Sequence, residues 1–219
     1  MALSERHYTR SEQRLDRLLH HTGLIAAIAG VGVLIGLTVR HQDALTLFAV
    51  SLYSLGLITM LAASTLANHD MHAPPEISRP RERFDHAAIF LMIAGTYTPF
   101  TILVLPPVWG WGLFGFVWSL ALLGAGFQLT DRLAYAPAIA LYLSLGWSIL
   151  PAIGPLIAGM PPVSLGLLIG GGVVYSLGIL AFAAYRLPFH TVIWHAAVLS
   201  AAACHYSAVL TGVVLPRGG

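Results

Sequence analysis

A bundle of seven membrane-spanning helices is the architecture this sequence predicts, and three observations predict it. Of 219 residues, 57% are hydrophobic and 9% charged, with a mean hydropathy of +0.79; too few charges remain to cover a soluble globule. Seven apolar stretches, each close to the roughly 20 residues that cross a hydrocarbon core, succeed one another with polar breaks between them. The basic residues are all arginines, and they segregate to one side of a seven-span topology.

The elements follow in chain order. Ser4 to Leu19 is Arg-rich and amphipathic, too charged to span and without a cleavage pattern before Gly23, so it reads as an interfacial helix and not a signal peptide. The spans then run Gly23 to Val39, Leu45 to Ala67, Ala87 to Leu105, Val108 to Leu129, Ala134 to Ile157, Val163 to Ala184 and Thr191 to Leu215. Short breaks separate them at Arg40 to Asp43, Pro106 with Pro107, Thr130 to Arg132, Gly159 to Pro162 and Tyr185 to Pro188. Only His69 to Phe84 is a substantial polar connection, and Pro74, Pro75 and Pro80 argue against a long helix there. The organisation expected is a cytoplasmic amphipathic segment over residues 1–22 and one transmembrane domain over 23–219. The single Cys204 has no partner for an intrachain disulfide.

Arginine placement sets the expected orientation. Arg6, Arg10, Arg14, Arg17, Arg79, Arg81, Arg83, Arg132 and Arg186 fall on one side of the seven-span scheme, and Arg40 and Arg217 on the other. The positive-inside rule then puts the amino terminus in the cytoplasm and the carboxyl terminus outside. An integral, multi-pass protein of the plasma (inner) membrane is expected. Arginines of the first segment suit anionic lipid better than nucleic acid.

This topology gathers polar residues that are far apart in sequence. The second span ends at His69, the third starts at Asp85 and His86, and the seventh starts near His190 and His195, all at the cytoplasmic end. Imidazoles and a carboxylate converging at a membrane boundary supply the donor types that zinc takes, and a catalytic zinc needs three protein ligands with one position left for water. Each residue taken singly is also explained by capping or by an interfacial position: Asp85 stands where an acceptor at a helix start is favoured, and His20, His21 and His72 share that boundary. Gly170 to Gly172 sits in an apolar stretch, where close helix packing accounts for it better than a phosphate loop.

The block Arg83-Phe84-Asp85-His86-Ala87-Ala88-Ile89-Phe90, continued by Ile93-Ala94-Gly95-Thr96-Tyr97-Thr98-Pro99-Phe100, resembles the signature of the hemolysin III family, related to the progestin and adiponectin receptors. Ser64-Thr65-Leu66, Gly146-Trp147, Gly170 to Gly172 with Tyr175, Ile193-Trp194-His195 and Cys204-His205 add matches in order along the chain. The resemblance implies a seven-helix bundle with zinc near the cytoplasmic face. His69, His190 and His195 are its implied ligands, and Asp85 reaches the metal through water. It further implies kinship with alkaline ceramidases, in a superfamily regarded as membrane-embedded metal-dependent hydrolases. The family name itself comes from a pore-forming or lytic activity reported for a member.

Two departures from the family pattern stand out. Its helix 7 pair is spaced His-x-x-x-His, whereas His190 and His195 are five apart. Positions four apart differ by about 40° around a helix and positions five apart by about 140°, so a straight helix cannot aim both at one ion. Either the helix begins after His190, or a π-bulge intervenes. The family's hydroxyl, four residues before the helix 2 histidine, falls here on Thr65 and not Ser64, and both are candidate donors. The function expected is hydrolysis of a lipid amide or ester with zinc as cofactor, Asp85 as base and Thr65 or Ser64 assisting. The alternatives are a pore-forming cytolytic protein and a lipid-sensing, receptor-like scaffold with structural zinc; oligomeric state is left open.

Overall fold

The computed structural model describes residues 8–69, 73–184 and 186–215. Ser4, Arg6, His72, Tyr185 and Arg217, which figure in the topology above, lie outside them. Among the described residues there is no strand, and seven spans are long and apolar enough to cross a membrane. The helices are α1 (Arg10–His41), α2 (Ala44–Asn68), α3 (Pro75–Leu103), α4 (Pro107–Leu129), α5 (Tyr135–Gly146), α6 (Ile153–Gly159), α7 (Pro162–Ala183) and α8 (His190–Val209). A 3-10 turn at Leu150–Ala152 joins α5 to α6 within the fifth span, and a π-helical turn at Leu210–Val214 finishes the seventh.

α1 is one continuous helix of 32 residues that includes both the Arg-rich stretch and the first span. Thr9 starts it with a capping box: its hydroxyl accepts from the Glu12 amide while the Glu12 carboxylate accepts from the Thr9 amide, satisfying two of the donors a helix start leaves bare. The buried residues Glu12, Asp16, His20, Ala27, Leu34 and Thr38 form one stripe along it. Arg10, Arg14 and Arg17 face away from that stripe and are exposed.

α3 begins twelve residues before Ala87, where the third apolar stretch starts, which corrects the expected loop. Pro75 occupies the first turn, where a missing amide hydrogen costs nothing and the fixed φ favours helix. Pro80 is accommodated in the next turn of this polar stub. Arg83 there pairs with Asp131 at the end of α4. Asp85 therefore lies well inside a helix, and the capping role open to it on sequence grounds does not apply.

α3 is the central element. One side packs on Val50, Tyr53, Leu57 and Met60 of α2, and the other on Val117, Ala121 and Ala125 of α4. The α2 crossing is close because glycines meet backbone: a Cβ on Gly56 would stand 2.9 Å from the Leu91 carbonyl oxygen, and one on Gly95 would stand 3.0 Å from that of Leu52. α1 packs against both α2 and α8, and α7 against α8. α2 and α8 share no comparable contact, and the helices around the first and last spans form an arc running α8, α1, α2, α3. Leucine, isoleucine and valine side chains exposed along α1, α4 and α7 face outward, as a lipid solvent requires.

The fifth span is broken at Gly146, and one side chain repairs the break. The Tyr97 hydroxyl of α3 accepts from the Ile149 amide at 3.0 Å and from the Ser148 hydroxyl at 3.2 Å. Its own hydrogen faces the Leu145 and Gly146 carbonyls at 2.8 and 2.9 Å. Backbone groups freed inside hydrocarbon must find such partners within the protein.

Candidate metal centre

At the end of the bundle where α1 begins, Asp16, His20 and His195 are all buried, and each brings a ligand-capable atom within 4.8 Å of the other two. Asp16 and His20 are four residues apart and so share a face of α1; His195 comes from the second turn of α8. The Asp16 carboxylate organises the group. Its Oδ1 accepts from His195 Nδ1 at 2.6 Å, and its backbone carbonyl accepts from His20 Nδ1 at 2.7 Å. Nδ1 of both rings is thus turned toward Asp16, so the three side chains converge on one point. The rings meet edge to face with centroids 4.2 Å apart.

The nearby polar groups extend the site. His20 Nε2 is 3.2 Å from the Ser64 hydroxyl on α2. Asp85 on α3 lies near Ser64, His86 and His195. Asp16 Oδ2 is buried with no hydrogen-bond partner, which is costly for a carboxylate oxygen unless a proton or cation takes it. Two imidazoles and a carboxylate, one of whose oxygens is without a partner, fit a divalent metal.

His195, Asp85 and Ser64 thus come together as the sequence suggests, and the rest of the expected set stands apart from the group. His69 caps the carboxyl end of α2, is exposed, and faces His21 with ring centroids 6.3 Å apart. Thr65 turns its hydroxyl back to the Leu61 carbonyl at 2.7 Å. His190 is buried but stacks on Tyr8, centroids 6.0 Å apart. Neither structural escape for the five-residue spacing occurs: α8 begins at His190 itself, and its π-helical turn lies at the opposite end. His190 and His195 therefore diverge around a regular helix. His20, given only an interfacial role on sequence grounds, is one of the three, and Asp16 was not among the candidates. The signal that could have found them is the buried Glu12-Asp16-His20 stripe at four-residue spacing.

Glu12 fixes how α8 meets this group. Its Oε1 accepts from the Phe189 amide at 2.8 Å, and Phe189 adopts a left-handed conformation (φ 59°) as it turns the chain into α8. From the site a cavity of about 1240 Å³ extends into the bundle between α3, α5, α7 and α8. Asp85, His86, Ser64, His20 and His195 are among its lining residues beside the centre, and Phe100 and Leu156 line it toward the other end of the bundle.

Seven apolar spans enclosing a buried Asp-His-His group define an integral, multi-pass membrane protein with a metal-capable centre at one end. Comparison with known proteins narrows the class. The chain belongs to the Haemolysin-III related family, whose match covers residues 8–206, as the Asp85 to Phe100 block suggests. It is 34% identical over 200 residues to Hemolysin-3 of Bacillus cereus, covering 91% of this chain and 90% of that protein. It is also 31% identical over 205 residues to the Hemolysin-3 homolog of Bacillus subtilis (strain 168), covering 93% and 95%.

Proposed function

We propose that this protein is a zinc-dependent hydrolase of a lipid amide or ester, with its site at the cytoplasmic end of the bundle in the inner membrane. The observation that carries the reading is the Asp16-held pair of imidazoles beside Asp85 and Ser64, lining one end of a long, mostly apolar-walled cavity. Asp16, His20 and His195 would hold the zinc, which would supply a Lewis acid for a carbonyl and for water. Asp85 orients water and accepts its proton at the carboxylate, and Ser64 donates a hydrogen bond to the developing oxyanion. The cavity takes the lipid chain and keeps bulk water from the scissile bond.

Metal analysis and product analysis test this together. Purified protein is expected to carry about one zinc per chain, lost in His20→Ala and His195→Ala and kept in His69→Ala. It is also expected to release fatty acid from a panel of amide and ester lipids, and to stop when chelated. Zinc retained in His20→Ala and lost in His69→Ala would move the site to the α2 terminus, and bound zinc with no product from any lipid would end the hydrolase reading.

The name of the two bacterial relatives favours membrane lysis as a second reading. Dye release from vesicles by purified protein, with and without chelator, separates it from lipid cleavage. At the far end of the bundle Leu156, Val209 and Val214 are fully buried, which argues against a continuous polar path.

A further inference from the structure

Part-way along the bundle the same cavity carries a second polar patch. His205 of α8 and Tyr175 of α7 line it, with ring centroids 5.6 Å apart. His205 is 8% exposed, and the fold makes room for it: a Cβ on Gly171 would overlap the imidazole. His205 Nε2 donates to the Leu168 carbonyl at 3.2 Å, which leaves Nδ1 as an acceptor. Nδ1 has no hydrogen-bond partner, and neither has the Tyr175 hydroxyl or that of Tyr53, which is within electrostatic reach of Tyr175. Polar atoms left bare at membrane depth are costly and mark sites where a polar group is received.

We propose that His205 and Tyr175 recognise a hydroxyl carried part-way along the hydrocarbon chain of a membrane lipid. A hydroxyl answers both groups, because it accepts from the Tyr175 O–H and donates to His205 Nδ1. A carbonyl can only accept, and a charge is disfavoured at this depth. α8 sets the position along the chain. His195 and His205 are ten residues apart, about 15 Å along the helix axis. An extended chain of C–C bonds near 1.5 Å advances roughly 1.25 Å per carbon, so a lipid with its head at His195 reaches His205 at about its twelfth carbon. The inference rests on the proposed function only for the end at which the head group sits.

Equilibrium binding to the full-length protein in detergent, with zinc and after chelation, tests it without requiring turnover. The probes are stearate, 2-hydroxystearate and 12-hydroxystearate. In both metal states 12-hydroxystearate is expected to bind about tenfold more tightly than the other two. The preference should vanish in His205→Leu and in Tyr175→Phe, the latter removing a single oxygen. Equal binding of stearate and 12-hydroxystearate by the native protein overturns the proposal. So does equal preference for the 2-hydroxy probe, or a preference that survives Tyr175→Phe. A protein that shows the preference yet hydrolyses nothing would refute the proposed function and leave this site standing.

Discussion

Replacing Tyr97 by phenylalanine removes one oxygen from the place where the fifth span breaks, and the structure sets what that should cost. The Ile149 amide has the Tyr97 hydroxyl as its partner at 3.0 Å. Leu145 O keeps the Ser148 amide as a donor, but Gly146 O loses the donor that Tyr97 offers. One amide left bare at membrane depth costs about 1–3 kcal/mol, and the weakened carbonyl adds to it, so about 2–3 kcal/mol in all is expected. For a chain of this size each kcal/mol moves Tm by about 2–4 °C, so Tyr97→Phe should melt roughly 4–12 °C below the native protein. Thermal unfolding in one detergent, followed by tryptophan fluorescence, is the assay. Tyr135→Phe serves as control, since the Tyr135 hydroxyl makes no hydrogen bond among the described residues. A Tyr97→Phe protein melting within 1 °C of native would show that the break is stabilised some other way.

Asp85→Asn should keep its zinc, because Asp16, His20 and His195 are untouched, and lose lipid hydrolysis with the loss of the base; unchanged product profiles in a lipid-turnover screen would remove Asp85 from the chemistry. Gly56→Val should destabilise by about 1–3 kcal/mol, since the carbonyl of Leu91 cannot yield as a side chain could. Gly32→Ala, with open space around its Cβ, should melt like the native protein; equal Tm values for the two variants would refute the close crossing. A tag at the amino terminus should be reached only from the cytoplasm and one after Gly219 only from outside; two tags on the same side would overturn the topology read from the arginines.

The spans were legible because hydropathy and length decide what crosses a bilayer, and those signals are local. Where α3 begins was not, because a rule against proline in helices is a rule about interiors, and Pro75 sits where the missing amide hydrogen has no consequence. Half of the site was legible too. His195 and Asp85 lie in a distinctive sequence block and at a predictable end of the bundle. Asp16 and His20 were hidden by Arg10, Arg14 and Arg17, which make the start of α1 look like a surface helix when its opposite face is buried. The choice between Ser64 and Thr65 depended on counting from His69. That count assumed His69 points inward, whereas it ends α2 in the open.

The contact between Asp16 and His195 spans 179 residues of chain, so the centre joins the first membrane segment to the last. During synthesis it cannot exist until the seventh span has been made and inserted, and every shorter nascent chain lacks an essential third of it. Closing so long a loop is slow to happen by chance. The Glu12 contact with the Phe189 amide, set where the last segment enters the membrane, gives that late arrival a place to dock. Acquisition of metal would then mark completion of the polypeptide, and a chain cut short before α8 would leave the ribosome already unable to hold the ion.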